Sequence, residues 1–264
     1  MEITTTTAMI ALDDVGTGEP ALLCLPGWCG DRDVFDPLLA RLGGGRRTLA
    51  LDLPGHGGSA APGPDFGTED VVQTAVAVIE QEGLDRVVPV ALSHAGWFAI
   101  ELRRRLGPER IPGIVLLDWM VLGPPPGFSD ALGGLQDPAA WSQVRAGLIG
   151  MWTDGIDVPA LHRYVGTMGD YGAAHWHRAG REIAASFAAE GTPLDALERV
   201  PEPCPTLHVY AQPTDDAVLD AQRAYAAAHP WFAVHRLSAR SHFPMFEVPE
   251  DMAMVIEHFA RELP

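Results

Sequence analysis

The chain has 264 residues, of which 47% are hydrophobic, and this suits one compact domain with a large buried core. Its formal net charge is -17 and it contains no lysine, so it repels phosphate backbones and anionic lipid headgroups. These values argue against nucleic acid and membrane surfaces as partners and favour a small-molecule ligand.

The start of the chain does not look like a targeting segment. Residues 1–7 have neither the basic region nor the apolar stretch of a signal peptide, and no later apolar run is long enough to span a bilayer. We therefore expect a cytoplasmic protein. Its three cysteines, Cys24, Cys29 and Cys204, match no metal-ligand spacing, and their odd number predicts buried thiols rather than a disulfide scaffold.

Apolar runs alternate with helical patterns along the chain, which is typical of a mostly parallel sheet covered by helices on both faces. The expected strands, in chain order, are 7–12, 20–25, 47–51, 86–92, 113–118, 206–211 and 232–237. Helices are predicted over 217–229 and from Pro249, a residue favoured at a helix start, to 261. The pattern predicts an α/β fold.

The alternation stops in the middle of the chain. From 123 to about 190 no short β-rich run occurs, and 141–151, 158–168 and 175–189 carry helical spacing between glycines and prolines. We expect a helical cap at about 123–190, inserted into a single domain that covers 1–264.

The apolar run 86–92 ends at Ser93, which has Ala91 and Ala95 two positions before and after it. A serine between a strand and a helix, with such small neighbours, is typical of the nucleophile elbow of the α/β-hydrolase fold. There the serine has a strained backbone and its Oγ projects above the sheet. We therefore predict an α/β-hydrolase fold whose chemistry centres on Ser93.

Serine chemistry in this fold requires a histidine base and an orienting acid. His242 lies after the last predicted strand and before the C-terminal helix, where the fold delivers its histidine. For the acid, Asp215 and Asp216 occupy the commoner location, whereas Asp118 ends the strand that follows the elbow. We favour Asp118, because an apolar run closing on one carboxylate predicts a buried acid, whereas 213–216 predicts a turn and a helix N-cap.

Backbone donors for a developing negative charge are expected at two places. In the loop 25–31, Gly27 permits a turn, the Trp28 N–H can point at a substrate, and its indole is expected to line the pocket. The N–H of His94, just past the serine, would be the second donor.

Three further histidines are given no chemistry. His56 belongs to a turn that is widespread in this fold. His175 and His177 are two apart, a spacing that splays on a helix, and no third ligand is evident. We expect surface histidines there rather than a metal site.

Seven segments together resemble the cofactor-free 2,4-dioxygenases of 3-hydroxy-4(1H)-quinolones, and they span nearly the whole chain. They are residues 25–29, 93–97, 117–119, 170–172, 211–214, 229–232 and 241–244. The elbow alone is shared with esterases and dehalogenases. The acid after the next strand, together with Trp28, His94 and 229–232, is more specific to this family.

The resemblance implies an oxygenase without metal, flavin or haem that acts on a 3-hydroxy-4(1H)-quinolone and O2. In such an enzyme His242, supported by Asp118, removes the 3-hydroxyl proton, O2 adds at C2, and the ring opens with release of carbon monoxide. The resemblance gives Ser93 an orienting role. It has Trp28 and His94 hold the ring carbonyl and the intermediate, and Trp152 of the cap close the pocket.

Two positions depart from the family pattern, which has histidines where this chain has Gly30 and Leu92. We expect a roomier, more apolar pocket and a 2-alkyl tail longer than methyl. Two other classes stay open at this point. A serine esterase or lactonase would use the same Ser93, Asp118 and His242 through an acyl-enzyme, and a receptor of the same fold would need no base.

Overall fold

A single eight-stranded sheet runs through the computed structural model, which describes residues 1–5, 8–42 and 44–264. The strands are β1 (Glu2–Thr4), β2 (Met9–Val15), β3 (Ala21–Leu25), β4 (Thr48–Leu51), β5 (Val87–Leu92), β6 (Ile114–Leu117), β7 (Thr206–Tyr210) and β8 (Phe232–Arg236). Their order is β1-β2-β4-β3-β5-β6-β7-β8. β2 pairs antiparallel with β1 and β4, and all pairs from β4 to β8 are parallel.

Helices cover the sheet. They are α1 (Asp36–Leu42), α2 (Thr68–Gln81), α3 (Gly96–Arg110), α4 (Phe128–Gln136), α5 (Trp141–Thr153), α6 (Pro159–Asp170), α7 (Ala173–Glu190), α8 (Pro193–Glu198), α9 (Asp216–Ala228) and α10 (Pro249–Glu262). α1 packs on α10, and α2 packs on α3. Every residue of β3 to β7 is buried, as expected when helices shield both faces of a parallel sheet.

The α/β-hydrolase architecture expected from the sequence is confirmed, with differences at the edge of the sheet. The strand predicted at 7–12 begins at Met9 and continues to Val15, and Thr7 lies outside the described residues. Its charged end was not expected in a strand, but Asp13 pairs with Arg32 at 3.0 Å and Asp14 with Arg47 at 2.7 Å. β1 was not predicted, because three residues are too few to carry a pattern.

The segment between β6 and β7 is helical, as the sequence predicts, and contains α4 to α8. The sequence did not predict α4, which contains Gly133 and Gly134, residues that weaken a helix, or the short α8 beyond residue 190. α4 packs closely on α7, where a Cβ at Gly180 would lie 2.7 Å from the Leu132 carbonyl oxygen. The division into one domain with a cap at 123–190 stays a prediction.

Cys24, Cys29 and Cys204 are buried free thiols, as predicted. Among the described residues, no helix is both long and apolar enough to cross a membrane.

Two helix glycines give opposite expectations for stability. Gly147 is exposed in the middle of α5 with no atom within 4 Å of an added Cβ, whereas a Cβ at Gly96 would overlap the Trp119 ring. We predict that Gly147→Ala raises the free energy of unfolding by about 0.5–1 kcal/mol, since alanine favours the helix. Gly96→Ala should lower it by about 1–3 kcal/mol through overpacking.

Urea unfolding of the two variants beside the parent protein measures both effects. Equal stability of the two variants would contradict the packing that the structure places around Gly96.

Candidate active site

Ser93 lies between β5 and α3, and its backbone φ is 54°. This is the left-handed region, which is costly for a serine and is found where the surroundings impose it. Its neighbours Ala91 and Ala95 are fully buried, so larger side chains have no room there. The serine has the strained elbow conformation that the sequence predicts.

The His242 imidazole is paired with Asp118, whose carboxylate is almost fully buried. His242 Nδ1 and Asp118 Oδ1 are 3.0 Å apart, and Asp118 Oδ2 accepts the N–H groups of Ala211 (2.7 Å) and Gln212 (3.1 Å). A carboxylate only accepts hydrogen bonds, so the His242 proton resides on Nδ1. Nε2 is then the free acceptor, which is the arrangement of a general base.

The two other candidate acids, Asp215 and Asp216, form contacts away from His242. The Asp215 carboxylate accepts the Ala217 N–H at 2.8 Å and caps α9, as its sequence context predicts. Asp216 is exposed and pairs with Arg236 at 2.8 Å. Of the three aspartates, the structure brings only Asp118 to His242.

The end of the cap helix α5 rests directly on the histidine. The Trp152 ring stacks on the His242 imidazole with ring centroids 5.0 Å apart and planes 25° apart. The backbone carbonyl of Trp152 accepts the backbone N–H of His242 at 3.0 Å. The Gln212 side-chain amide donates to the Arg240 carbonyl at 2.6 Å and reaches the Met151 and Trp152 carbonyls at 3.4 and 3.5 Å. Gln212 therefore contacts Asp118 through its backbone N–H and the end of α5 through its side chain.

His94 is buried beside the elbow. Its Nδ1 accepts the indole N–H of Trp119 at 3.2 Å, and its ring stacks on Phe128 with centroids 5.6 Å apart. Burial lowers the pKa of His94 to about 3, and the nearby His242 adds to this. His94 is therefore an uncharged imidazole at neutral pH.

His56, to which no catalytic role is assigned from the sequence, is hydrogen-bonded to the loop that contains Trp28. Its Nε2 accepts the N–H of Cys29 at 3.2 Å while its Nδ1 lies 2.9 Å from the Pro54 carbonyl. This contact supports Cys29 at a φ of 60°. Burial lowers the pKa of His56 to about 4 and so keeps the acceptor nitrogen unprotonated. The Trp28 ring packs edge-on against Phe98.

Two cavities meet at the elbow. The inner cavity lies between the elbow and the cap, and its apolar wall includes Leu132, Leu135, Leu148, Met168 and Ile183. The outer cavity is open to solvent and lies beside Asp118 and the chain that follows it. The residues that line both are Ser93, His94, Phe128, Trp152 and His242.

All six residues predicted from the sequence line these cavities. Trp28 lines the inner cavity, Asp118 lines the outer cavity, and the other four lie where the two meet. Among the described residues, no hydrogen bond joins the Ser93 hydroxyl to His242.

Tyr164 of α6 is a cavity residue that the sequence did not indicate. A Cβ at Gly30 would lie 2.6 Å from the Tyr164 hydroxyl oxygen, so this hydroxyl fills the space beside the glycine. Gly30, Tyr164 and Leu92 all line the inner cavity, and the expectation of a roomier pocket stays a prediction. The contact depends on how the cap docks, and a local pattern cannot show it.

His175 and His177 are half-buried in α7, which corrects the expectation of a surface position. His175 Nε2 lies 2.9 Å from the Gly55 carbonyl, so this histidine ties the cap to the loop of His56. Within 1–5, 8–42 and 44–264, no three His, Cys, Asp or Glu side chains are grouped to hold a metal ion.

Comparisons with known proteins agree with this geometry. A family model described as the alpha/beta hydrolase family matches residues 22–255, and the chain belongs to that family. Within it, the chain is 33% identical over 257 residues to the 2-heptyl-3-hydroxy-4-quinolone dioxygenase AqdC2 of Rhodococcus erythropolis, covering 96% of this chain and 95% of the relative.

A second relative, the 1H-3-hydroxy-4-oxoquinoline 2,4-dioxygenase of Pseudomonas putida, is 32% identical over 243 residues, 91% of each chain. A solved structure of an AqdC variant with its substrate, from work on ring cleavage of the Pseudomonas quinolone signal, superposes with a TM-score of 0.94. It shares 32% identity and covers 99% of this chain and 98% of that one. The chain is thus a member of the quinolone dioxygenase family, and the resemblance is confirmed.

The buried histidines predict how stability depends on pH. Burial lowers the pKa of His94 to about 3 and those of His56 and His208 to about 4. Unfolded histidine takes up a proton near pH 6.5, whereas these folded histidines do not. The stabilisation is complete above pH 6.5 and is lost as pH falls toward 4, at about 1.4 kcal/mol per pH unit for each histidine. Asp31, whose pKa burial raises to about 6, partly offsets the loss.

Urea unfolding between pH 7 and pH 4 measures this slope. His208→Gln should reduce it by about one proton, and the exposed His235→Gln serves as the matched control with an unchanged slope. A parent protein whose stability is flat over this range would contradict the neutral, buried state of these rings.

Proposed function

We propose that this protein is a cofactor-independent 2,4-dioxygenase that cleaves the ring of 2-alkyl-3-hydroxy-4(1H)-quinolones. The proposed products are an N-acylanthranilate and carbon monoxide. The observation that carries the proposal is the buried Asp118–His242 pair, facing an apolar cavity, in a chain 33% identical over nearly its whole length to a 2-heptyl-3-hydroxy-4-quinolone dioxygenase.

Proton removal is the first step. His242 accepts the 3-hydroxyl proton on Nε2, and Asp118 stabilises the resulting imidazolium through the 3.0 Å contact at Nδ1. Trp152 covers one face of the imidazole, so that the base lies in a mostly apolar space. The substrate anion then spreads its charge over the two ring oxygens and C2.

The electron-rich anion is the reductant for oxygen. O2 adds at C2, and the resulting peroxide closes onto C4 to form a bicyclic intermediate. C3 then leaves with its own oxygen as carbon monoxide. One atom of O2 ends on C2 as the amide oxygen, and the other ends on C4 in the carboxylate. The atoms and electrons balance without an external reductant.

Several residues would orient these oxygens. Ser93 and His94 lie beside His242 where the cavities meet, and we assign them hydrogen bonds to the substrate oxygens and the intermediate. Trp28 and Trp152 supply aromatic surfaces for the bicyclic ring. In this role Ser93 forms no acyl-enzyme.

The deciding experiment mixes metal-free protein with 2-heptyl-3-hydroxy-4(1H)-quinolone without oxygen and then admits oxygen. Oxygen-dependent carbon monoxide without any added cofactor is the expected result. No carbon monoxide from either the heptyl or the methyl substrate would reject the proposal and return the serine to ester or lactone hydrolysis.

Variants of the base and the serine separate the two chemistries. His242→Ala should lower kcat/KM for carbon monoxide release by roughly 10²- to 10⁴-fold, because a general base contributes about that much. Ser93→Ala should lower it by only about 10- to 100-fold, the effect of one hydrogen bond to a charged oxygen. Stoichiometric labelling of Ser93 by a fluorophosphonate, with complete loss of activity in Ser93→Ala, would instead indicate an acyl-enzyme.

The length of the 2-alkyl chain should control affinity. Each methylene buried against apolar surface contributes about 0.8 kcal/mol, or roughly fourfold in Kd. Anaerobic binding of the 2-methyl to 2-heptyl series should therefore tighten stepwise until the chain fills the available wall. A flat series would show that the tail remains in solvent.

A further inference from the structure

We propose that Trp119 is a positioning residue that locks His94 in the tautomer with its proton on Nε2, so that His94 donates a hydrogen bond to the substrate anion. The inference rests on the proposed function for its chemical consequence. The tautomer itself follows from the geometry of the protein alone.

The contact between the two rings determines where the proton lies. Trp119 Nε1 is 3.2 Å from His94 Nδ1, and both side chains are buried. An indole nitrogen can only donate a hydrogen bond, so Nδ1 must be the unprotonated nitrogen of His94. In a neutral imidazole the proton then resides on Nε2.

The position of Trp119 is fixed by a second histidine. The Trp119 backbone N–H donates a hydrogen bond to His208 Nε2 at 3.2 Å. His208 Nδ1 lies 2.6 Å from Gln222 Oε1. Because the backbone N–H only donates, His208 Nε2 must be the unprotonated nitrogen. His208 then carries its proton on Nδ1 and donates a hydrogen bond from it to the Gln222 oxygen. The two N–H groups of Trp119, from its backbone and its indole, therefore fix the tautomers of His208 and His94.

Packing holds the Trp119 ring in place. Trp97 packs edge-on against it with centroids 4.8 Å apart, and Gly96 lies so close to it that an added Cβ would overlap the ring. The His94 ring is in turn held between Phe128 and the edge of Phe187. Neither ring can rotate freely, so the indole hydrogen bond is maintained.

The locked tautomer has a consequence for the reaction. His94 lines both cavities beside His242, and among the described residues its Nε2 has no hydrogen-bond partner. Removal of the substrate proton creates negative charge on the ring oxygens, and a fixed N–H donor stabilises that charge without reorganising. The opposite tautomer would present a lone pair to the anion.

Trp97 offers a matched control. It belongs to the same aromatic cluster and is equally buried, but its Nε1 has no partner in the part of the chain that the structure describes. Trp97→Phe and Trp119→Phe therefore remove the same group from the same core. Only Trp119→Phe removes a hydrogen bond to His94.

Nuclear magnetic resonance of the substrate-free protein, with its histidine ring nitrogens labelled, tests the tautomer. The parent protein and Trp97→Phe should show His94 protonated on Nε2 alone, and Trp119→Phe should show both tautomers. A parent protein in which Nδ1 carries the proton would overturn the proposal, and this result needs no folded variant.

Anaerobic binding of 2-heptyl-3-hydroxy-4(1H)-quinolone tests the consequence through the absorbance of its anion. In Trp119→Phe the pH at which the bound quinolone ionises should rise by about one unit and kcat/KM should fall by roughly tenfold, the effect of one hydrogen bond. Trp97→Phe should match the parent protein. Equal shifts in both variants would reduce Trp119 to a packing role, whereas failure of the parent protein to bind or cleave the quinolone would reject the proposed function instead.

Discussion

The site depends on one buried carboxylate. Asp118 accepts three hydrogen bonds, from the His242 imidazole and from two successive backbone N–H groups after β7. Its two oxygens therefore join the chain after β6, the loop after β7 and the loop after β8. The Gln212 side chain extends the connection to the cap, whose Trp152 covers the histidine. A charge this deeply buried is costly unless every partner is in place, so the acid enforces the geometry of the base.

The same arrangement accounts for a hydrolase fold that performs oxygen chemistry. An esterase needs the serine as a nucleophile, whereas the proposed reaction needs only a base, oriented donors and a water-poor cavity. The substrate supplies the electrons, and both donors proposed beside the base are uncharged. His94 in particular contributes an N–H and no titrating charge, because burial lowers its pKa to about 3.

Much of the fold and of the site could be predicted from the sequence, because both depend on local patterns. Ser93 between small residues and Asp118 at the end of an apolar run are features of single strands, and the order of the strands follows from the fold. The role of His56 and the place of Tyr164 beside Gly30 depend on contacts between distant segments. The helix α4 was not predicted because its two glycines weaken the helical pattern. Its packing on α7 stabilises the helix in spite of them.

Charge limits how the proposed anion can be stabilised. The chain has a formal net charge of -17, so the long-range field of the protein opposes a negative charge in its interior. Stabilisation must therefore come from groups in contact with the substrate, namely the imidazolium formed on His242 and the proposed donors Ser93 and His94. A neutral quinolone would enter without electrostatic cost, and an acylanthranilate carrying a carboxylate would leave down the gradient of that field. The net negative charge of the protein thus opposes the anionic intermediate but favours release of the anionic product.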